Sequence, residues 1–264
     1  MTGLAALRAA LAVETLKLRR SVVARMATAL LVVLVPLGSM GVVALARSPQ
    51  AVGPTAAKLA DYATGDPATT HLVVCAQVLS VAALAAGGFY VAWSFGRELE
   101  SGTAGALFGL AVPRGVVALA KCLVALAWIA GCVLLTVGLT LAVSAAVTTA
   151  QGAAFAGAWA GARTALLAGL LGGGLALPFA WVATVTRSQL GTVGALVGMV
   201  ALTQIVVLLG GGTWFPYAAP SLWTGMGGSA AASAVRPPHL LLAAAVGPLA
   251  VVVVVQAWRR LTNV

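Results

Sequence analysis

Long uncharged apolar stretches, separated by short polar interruptions, dominate the chain. A helix crossing a bilayer needs about 20 mostly apolar residues. Six stretches meet that length: 22–46, 71–93, 117–143, 162–185, 190–210 and 239–257. The pattern predicts an all-α polytopic membrane protein, with one transmembrane domain over 1–264. Pro36 inside the first stretch is tolerable, because neighbouring helices re-satisfy freed backbone groups in a membrane. Of the interruptions, 47–70 collects Arg47, Lys58, Asp61, Asp66 and several prolines, and reads as an exposed loop. Residues 94–115 hold Arg97, Glu98, Glu100 and Arg114 and must leave the hydrocarbon. Residues 186–189 form a small polar turn, and 211–237 is rich in Gly, Pro and Trp.

Two interruptions carry helical periodicity of their own. In residues 3–20, Leu4, Leu7, Leu11 and Leu18 share one stripe, with Lys17 and Arg20 roughly opposite. This predicts an interfacial helix over 1–21, lying along the membrane with Lys17, Arg19 and Arg20 among head groups. A positive anchor that merely fixes orientation is the other reading. In 94–115, Leu99, Thr103, Ala106 and Leu110 recur at amphipathic spacing, with acids in the first turn, Pro113 at the end and Lys121 at the start of the next span. Physical chemistry alone leaves this segment either as a docking surface for a partner or as a solvated connector.

Composition sharpens the picture. Of 264 residues, 61% are hydrophobic and 8% charged, against about a quarter charged in soluble domains. The net charge of +10 therefore reads as membrane topology, not as nucleic-acid binding. Arg8, Lys17, Arg19, Arg20, Arg25, Arg97, Arg114, Lys121, Arg187, Arg259 and Arg260 fall on one side, and only Arg47, Lys58, Arg163 and Arg236 on the other. The richer side is the cytoplasm by the positive-inside rule, which puts both termini inside and the protein in the cell membrane. The basic segment before 22–46 mimics a signal peptide, but it is long and its apolar run exceeds a normal leader, so the first span is expected to stay. Cys75, Cys122 and Cys132 lie within apolar runs and suit packing better than a metal or a disulfide.

The residues of 94–121 resemble the ABC-2 type permease family. That family joins its second and third spans by an acidic R-E-x-E-x-G-T helix, then a proline–arginine element and a lysine. Here these are Arg97-Glu98-Leu99-Glu100-Ser101-Gly102-Thr103, Pro113-Arg114 and Lys121. Glu14-Thr15-Leu16-Lys17-Leu18-Arg19-Arg20-Ser21 is similar to the stretch that leads the family into its first span. One departure is that Pro113 directly precedes Arg114, where the family usually has a serine before the arginine. The resemblance implies the permease subunit of an ATP-driven exporter. It would pair with a second permease subunit, and a separate cytoplasmic ATPase would bind ATP and magnesium. Arg97, Glu98, Glu100, Gly102, Thr103, Pro113 and Arg114 would contact that ATPase, with Glu98 the principal residue. The chain has no G-x-x-x-x-G-K-[ST] phosphate loop, so no cofactor is expected in it.

Other chemistry is thinly supported. No Asp, Glu or Lys falls near the middle of a predicted span, which weakens ion coupling and intramembrane catalysis. His71 and His239 lie at span ends and read as interfacial residues. Gln77 and Gln204 either line a pathway or bond a neighbouring helix. Gly169 with Gly173, and Gly194 with Gly198, make small-residue pairs suited to close helix approach. Trp214 and Trp223 mark a membrane interface in 211–237; the segment is an aromatic-anchored loop or, by the resemblance, an external re-entrant hairpin. The alternatives to a transporter are a non-transporting scaffold and, further off, an intramembrane enzyme.

Overall fold

The computed structural model describes residues 3–50, 52–102, 112–150 and 157–261. Among these, six helices are long and apolar enough to cross a membrane: Val22–Ala46, Pro67–Glu100, Arg114–Thr149, Ala158–Thr186, Gln189–Leu208 and Pro237–Arg259. They are spans one to six. A separate helix, Gly3–Arg20, precedes them. Span two is the hub and packs against spans one, three, four and five. Its longest contact is with span four, where Gly172 lies so close that a Cβ there would run into the Ser80 carbonyl oxygen.

Span one begins and ends as the hydropathy predicts, but it is not a uniform helix. Residues Leu30–Leu34 form a π turn just before Pro36. The Val35 N–H bonds the Leu30 carbonyl, five residues back. Pro36 has no N–H to offer Leu31. Span three supplies the substitute: the Thr136 hydroxyl lies 3.0 Å from the Leu31 carbonyl oxygen. His71 completes the arrangement. Its ring is fully buried, with Nε2 3.0 Å from the Pro36 carbonyl and Nδ1 2.7 Å from the Ser144 hydroxyl. It ties spans one, two and three together, and so is not the interfacial residue expected from its position near a span end.

Other corrections follow from helices that outrun their apolar cores. Span two continues from residue 93 to Glu100. At 1.5 Å per residue its 34 residues measure about 51 Å, well beyond a hydrocarbon layer of about 30 Å. Glu98 and Glu100 therefore stand in the last turn of a span and not in the first turn of a new helix. The amphipathic repeat through Thr103, Ala106 and Leu110 lies outside the described residues. Span six likewise runs through Trp258, a fully buried side chain edge-on to Phe95 and bonded through Nε1 to the Thr184 hydroxyl at 2.9 Å. Span four is interrupted at 175–177, before Pro178.

The connections 47–70 and 211–237 are also more ordered than a polar loop requires. Gly53–Ala63 is a helix within 47–70. Asp66 caps span two, accepting from the backbone N–H and the hydroxyl of Thr69, both at 2.8 Å. These bonds outweigh the desolvation that opposes them and hold the Asp66 carboxyl below its ordinary range. Within 211–237 lie short helices Ala219–Trp223 and Ser229–Ala234. Ala218 and Ala219 are fully buried, and the first of these helices packs against spans two, four and six.

Candidate functional site

The residues singled out by the sequence gather unevenly. Four charged side chains from three elements meet at the basic face: Glu14 and Lys17 of the leading helix, Glu98 at the end of span two, and Lys121 near the start of span three. Lys17 Nζ lies 2.7 Å from Glu14 and 2.6 Å from Glu98. Lys121 Nζ lies 3.0 Å from Glu14 and 2.9 Å from Glu98. It also donates to the Ser94 carbonyl at 3.0 Å and sits 5.7 Å from the centre of the Phe95 ring. Two acids and two lysines alternate around a closed ring of contacts, so the group is neutral as a unit.

Burial makes this arrangement consequential. Lys121 is 1% exposed and Glu14 3%. A charge in such a place is tolerated only when paired and hydrogen-bonded. At Lys17, burial disfavours the ammonium, but the Glu14 and Glu98 carboxylates more than offset it and raise its pKa. The Lys17 ammonium is thus committed to carboxylates, while Arg19 and Arg20 are exposed.

The leading helix reaches this cluster by a face the leucine stripe does not reveal. Its buried residues are Ala6, Ala10 and Glu14, spaced four apart. Lys17 follows Glu14 by three and shares their side of the helix. Leu4 is 72% exposed and points away from the bundle. Glu14 and Lys121 were read from the sequence only as parts of family-like stretches and not as site residues. The signal was available: with five acids in the chain, an acid in register with two alanines on a helix face has to find a cation.

The remaining predicted contacts surround the cluster. Arg97 is exposed, its guanidinium 5.5 Å from the centre of the Trp93 ring. Glu100 accepts from the backbone N–H and side-chain amide of Gln189, at 3.3 and 3.0 Å, joining span two to the start of span five. Gly102 has φ +68°, a conformation that suits glycine and ends the helix. Pro113 precedes span three, and the Arg114 guanidinium donates to the Leu261 carbonyl after span six. Thr103 lies outside the described residues.

The other candidates lie far from this junction. Gln77 is buried, accepting from the Tyr62 hydroxyl at 2.8 Å and donating to the Thr224 carbonyl at 3.3 Å. It pins helix Gly53–Ala63 and the 211–237 segment to span two. Gln204 is exposed on span five. Trp214 is 67% exposed and lies edge-on to His239, ring centres 4.4 Å apart. Trp223 is half-buried.

Among the described residues no cluster of His, Cys, Asp or Glu has the makings of a metal site. What the charged ring can do is mechanical: it holds both ends of the connection between spans two and three, together with the leading helix, as one body. A family model described as ABC-2 family transporter protein matches residues 10–208, from the leading helix through span five. Comparison with curated proteins finds no match.

Proposed function

Because the chain belongs to the ABC-2 transporter family, we propose that it is the permease subunit of an ATP-driven exporter. A separate cytoplasmic ATPase, holding ATP and magnesium, drives it through the connection between spans two and three. Both termini lie in the cytoplasm of a multi-pass cell-membrane protein, as the distribution of Lys and Arg supports. Outward direction rests on the resemblance alone.

The observation that carries this reading is the Glu14–Lys17–Glu98–Lys121 ring. Load applied to the connection is delivered to spans two and three and the leading helix at once, and through Glu100 and Gln189 to span five. Glu98 is enclosed by two lysines, so its part is to brace the connection. Arg97 and Glu100, with Gly102, Pro113 and Arg114 nearby, form the surface turned to the ATPase. Span five supports pairing with a second permease subunit. Gly194 and Gly198 have open space beside them, and polar Gln204 is exposed on the same span. A dimer would cover this surface.

The test is co-purification with the ATPase and transport-dependent ATP turnover in vesicles. Glu98→Gln should keep the ATPase bound but lose coupling between hydrolysis and transport. Arg97→Ala with Glu100→Ala should weaken co-purification. Wild-type behaviour of both variants in both measurements would reject the assignment.

A further inference from the structure

Spans four and six meet at Gly174 and Gly247, where a Cβ on Gly247 would lie 3.3 Å from the Gly174 carbonyl oxygen. Two contiguous hollows of about 410 and 500 Å3 share Leu167, Leu171 and Ala244 as walls; the larger spans this contact, from Leu167 to Val251, and the smaller continues from it toward the outer face. The outer one is bounded by Trp223, Val235 and Pro237. Together they make a groove running from the membrane interface along the bundle side, each hollow within the roughly 300–1,000 Å3 of small-molecule sites.

Apolar walls alone select nothing in a bilayer, because lipid tails are as apolar as leucine. A preferred occupant must be chosen at the mouth. Two of the four basic residues assigned to the outer face stand there. Arg163 lies one turn before Leu167 and two before Leu171, on the same stripe of span four. Side chains on a helix lean toward its N-terminus, which carries the Arg163 guanidinium outward from the groove. Arg236 falls between the groove-lining Val235 and Pro237. Both arginines are exposed, and neither is ion-paired with a described residue. Of the acids on that face, Asp66 is engaged at the cap of span two.

We infer that the groove between spans four and six is a binding site for an anionic phospholipid of the surrounding bilayer, one acyl chain lying along Leu167, Leu171 and Ala244 and the phosphate held by Arg163 and Arg236. The Trp223 ring borders the level where chain gives way to head group, the depth that amphipathic rings favour. The site is independent of the ATPase connection, which lies at the opposite ends of these spans. Its test does not depend on transport.

Native mass spectrometry of the full chain in mild detergent, titrated with phosphatidylglycerol or phosphatidylcholine of identical chains, reads the occupancy. Phosphatidylglycerol should bind on the order of tenfold more tightly, since each surface arginine adds about a kcal/mol toward anionic lipid. Arg163→Gln with Arg236→Gln should abolish that preference. Ala244→Phe fills the groove from an exposed position and should reduce binding of both lipids; Leu249→Phe, also exposed, should not. Helical content by circular dichroism confirms folding, and Ala244→Ile replaces Ala244→Phe if the larger ring fails. Equal affinity of the wild type for the two lipids would overturn the proposal. So would unchanged binding in the Ala244 variant, or displacement of phosphatidylglycerol by millimolar inorganic phosphate, which would make the arginines a free-anion site.

Discussion

Spans four and five carry the same small-residue spacing and use it in opposite ways. On span four, a Cβ at Gly169 would lie 2.9 Å from Val133, and one at Gly173 would strike Ile129. On span five, Gly194 and Gly198 have nothing within 4 Å. The surrounding burial agrees: 56% of the span-four apolar window is buried inside the chain and 17% of the span-five window. The same motif closes the interior of one helix bundle and leaves a bare surface on the other side. Spacing alone reports that close approach is permitted, and the partner is decided elsewhere.

If the packed half derives its stability from contacts that cannot relax, disturbance at its charged end should be the most damaging. Lys121→Met keeps most of the volume and leaves two buried carboxylates to share the single Lys17 ammonium. The expected loss is about 3–5 kcal/mol, read as thermal unfolding in detergent. Adding Glu14→Gln removes the excess negative charge and should recover part of it. Equal stability of the single and double variants would mean that the ring carries little electrostatic weight.

A matched pair of glycine substitutions probes the contrast directly. Gly172→Ala forces span two and span four apart and should cost about 1–3 kcal/mol. Gly198→Ala should change stability by no more than about 0.5 kcal/mol. Gly198→Leu should lower the dimer fraction in cross-linking while the isolated chain unfolds at an unchanged temperature. A destabilised chain in the span-five variants would erase the distinction.

The smallest expected effect lies at the start of span two. Asp66→Ala should cost about 1 kcal/mol, the usual value of an N-cap. The Asp66 carboxyl is held below its ordinary pKa, so its contribution is full above that ordinary value and declines as pH falls through the depressed one. Hydrogen exchange of the amides at 68–70 should therefore be protected at neutral pH and lose protection below about pH 4. In Asp66→Ala it should be fast at both.

The six crossings were legible because length and hydropathy act over about 20 residues and survive local irregularity. Span ends were less so. Hydropathy marks where lipid stops, but hydrogen bonding decides where a helix stops, and Trp93 to Glu100 stays helical with Phe95 fully buried and Leu99 buried. Gly53–Ala63 was hidden by the Gly and Pro that open it. The break in span four at 175–177 had a visible cause, Pro178. At the site, Glu98 and Lys17 were singled out separately, one as an ATPase contact and the other as an interfacial residue, and their mutual contact is a long-range fact. It depends on the leading helix burying its Ala6–Ala10–Glu14 face most deeply, with Leu7, Leu11 and Leu18 only half-buried beside it.

The π turn in span one sets a condition on how the chain is built. The Leu31 carbonyl takes its side-chain partner from Thr136, 105 residues further along. During synthesis from the N-terminal end, span one reaches the bilayer while Thr136 has yet to be made, and a bare carbonyl in hydrocarbon costs several kcal/mol. Until span three arrives, that part of span one is best accommodated beside water or a protein surface of the insertion machinery. The first crossing to be made is therefore among those completed late.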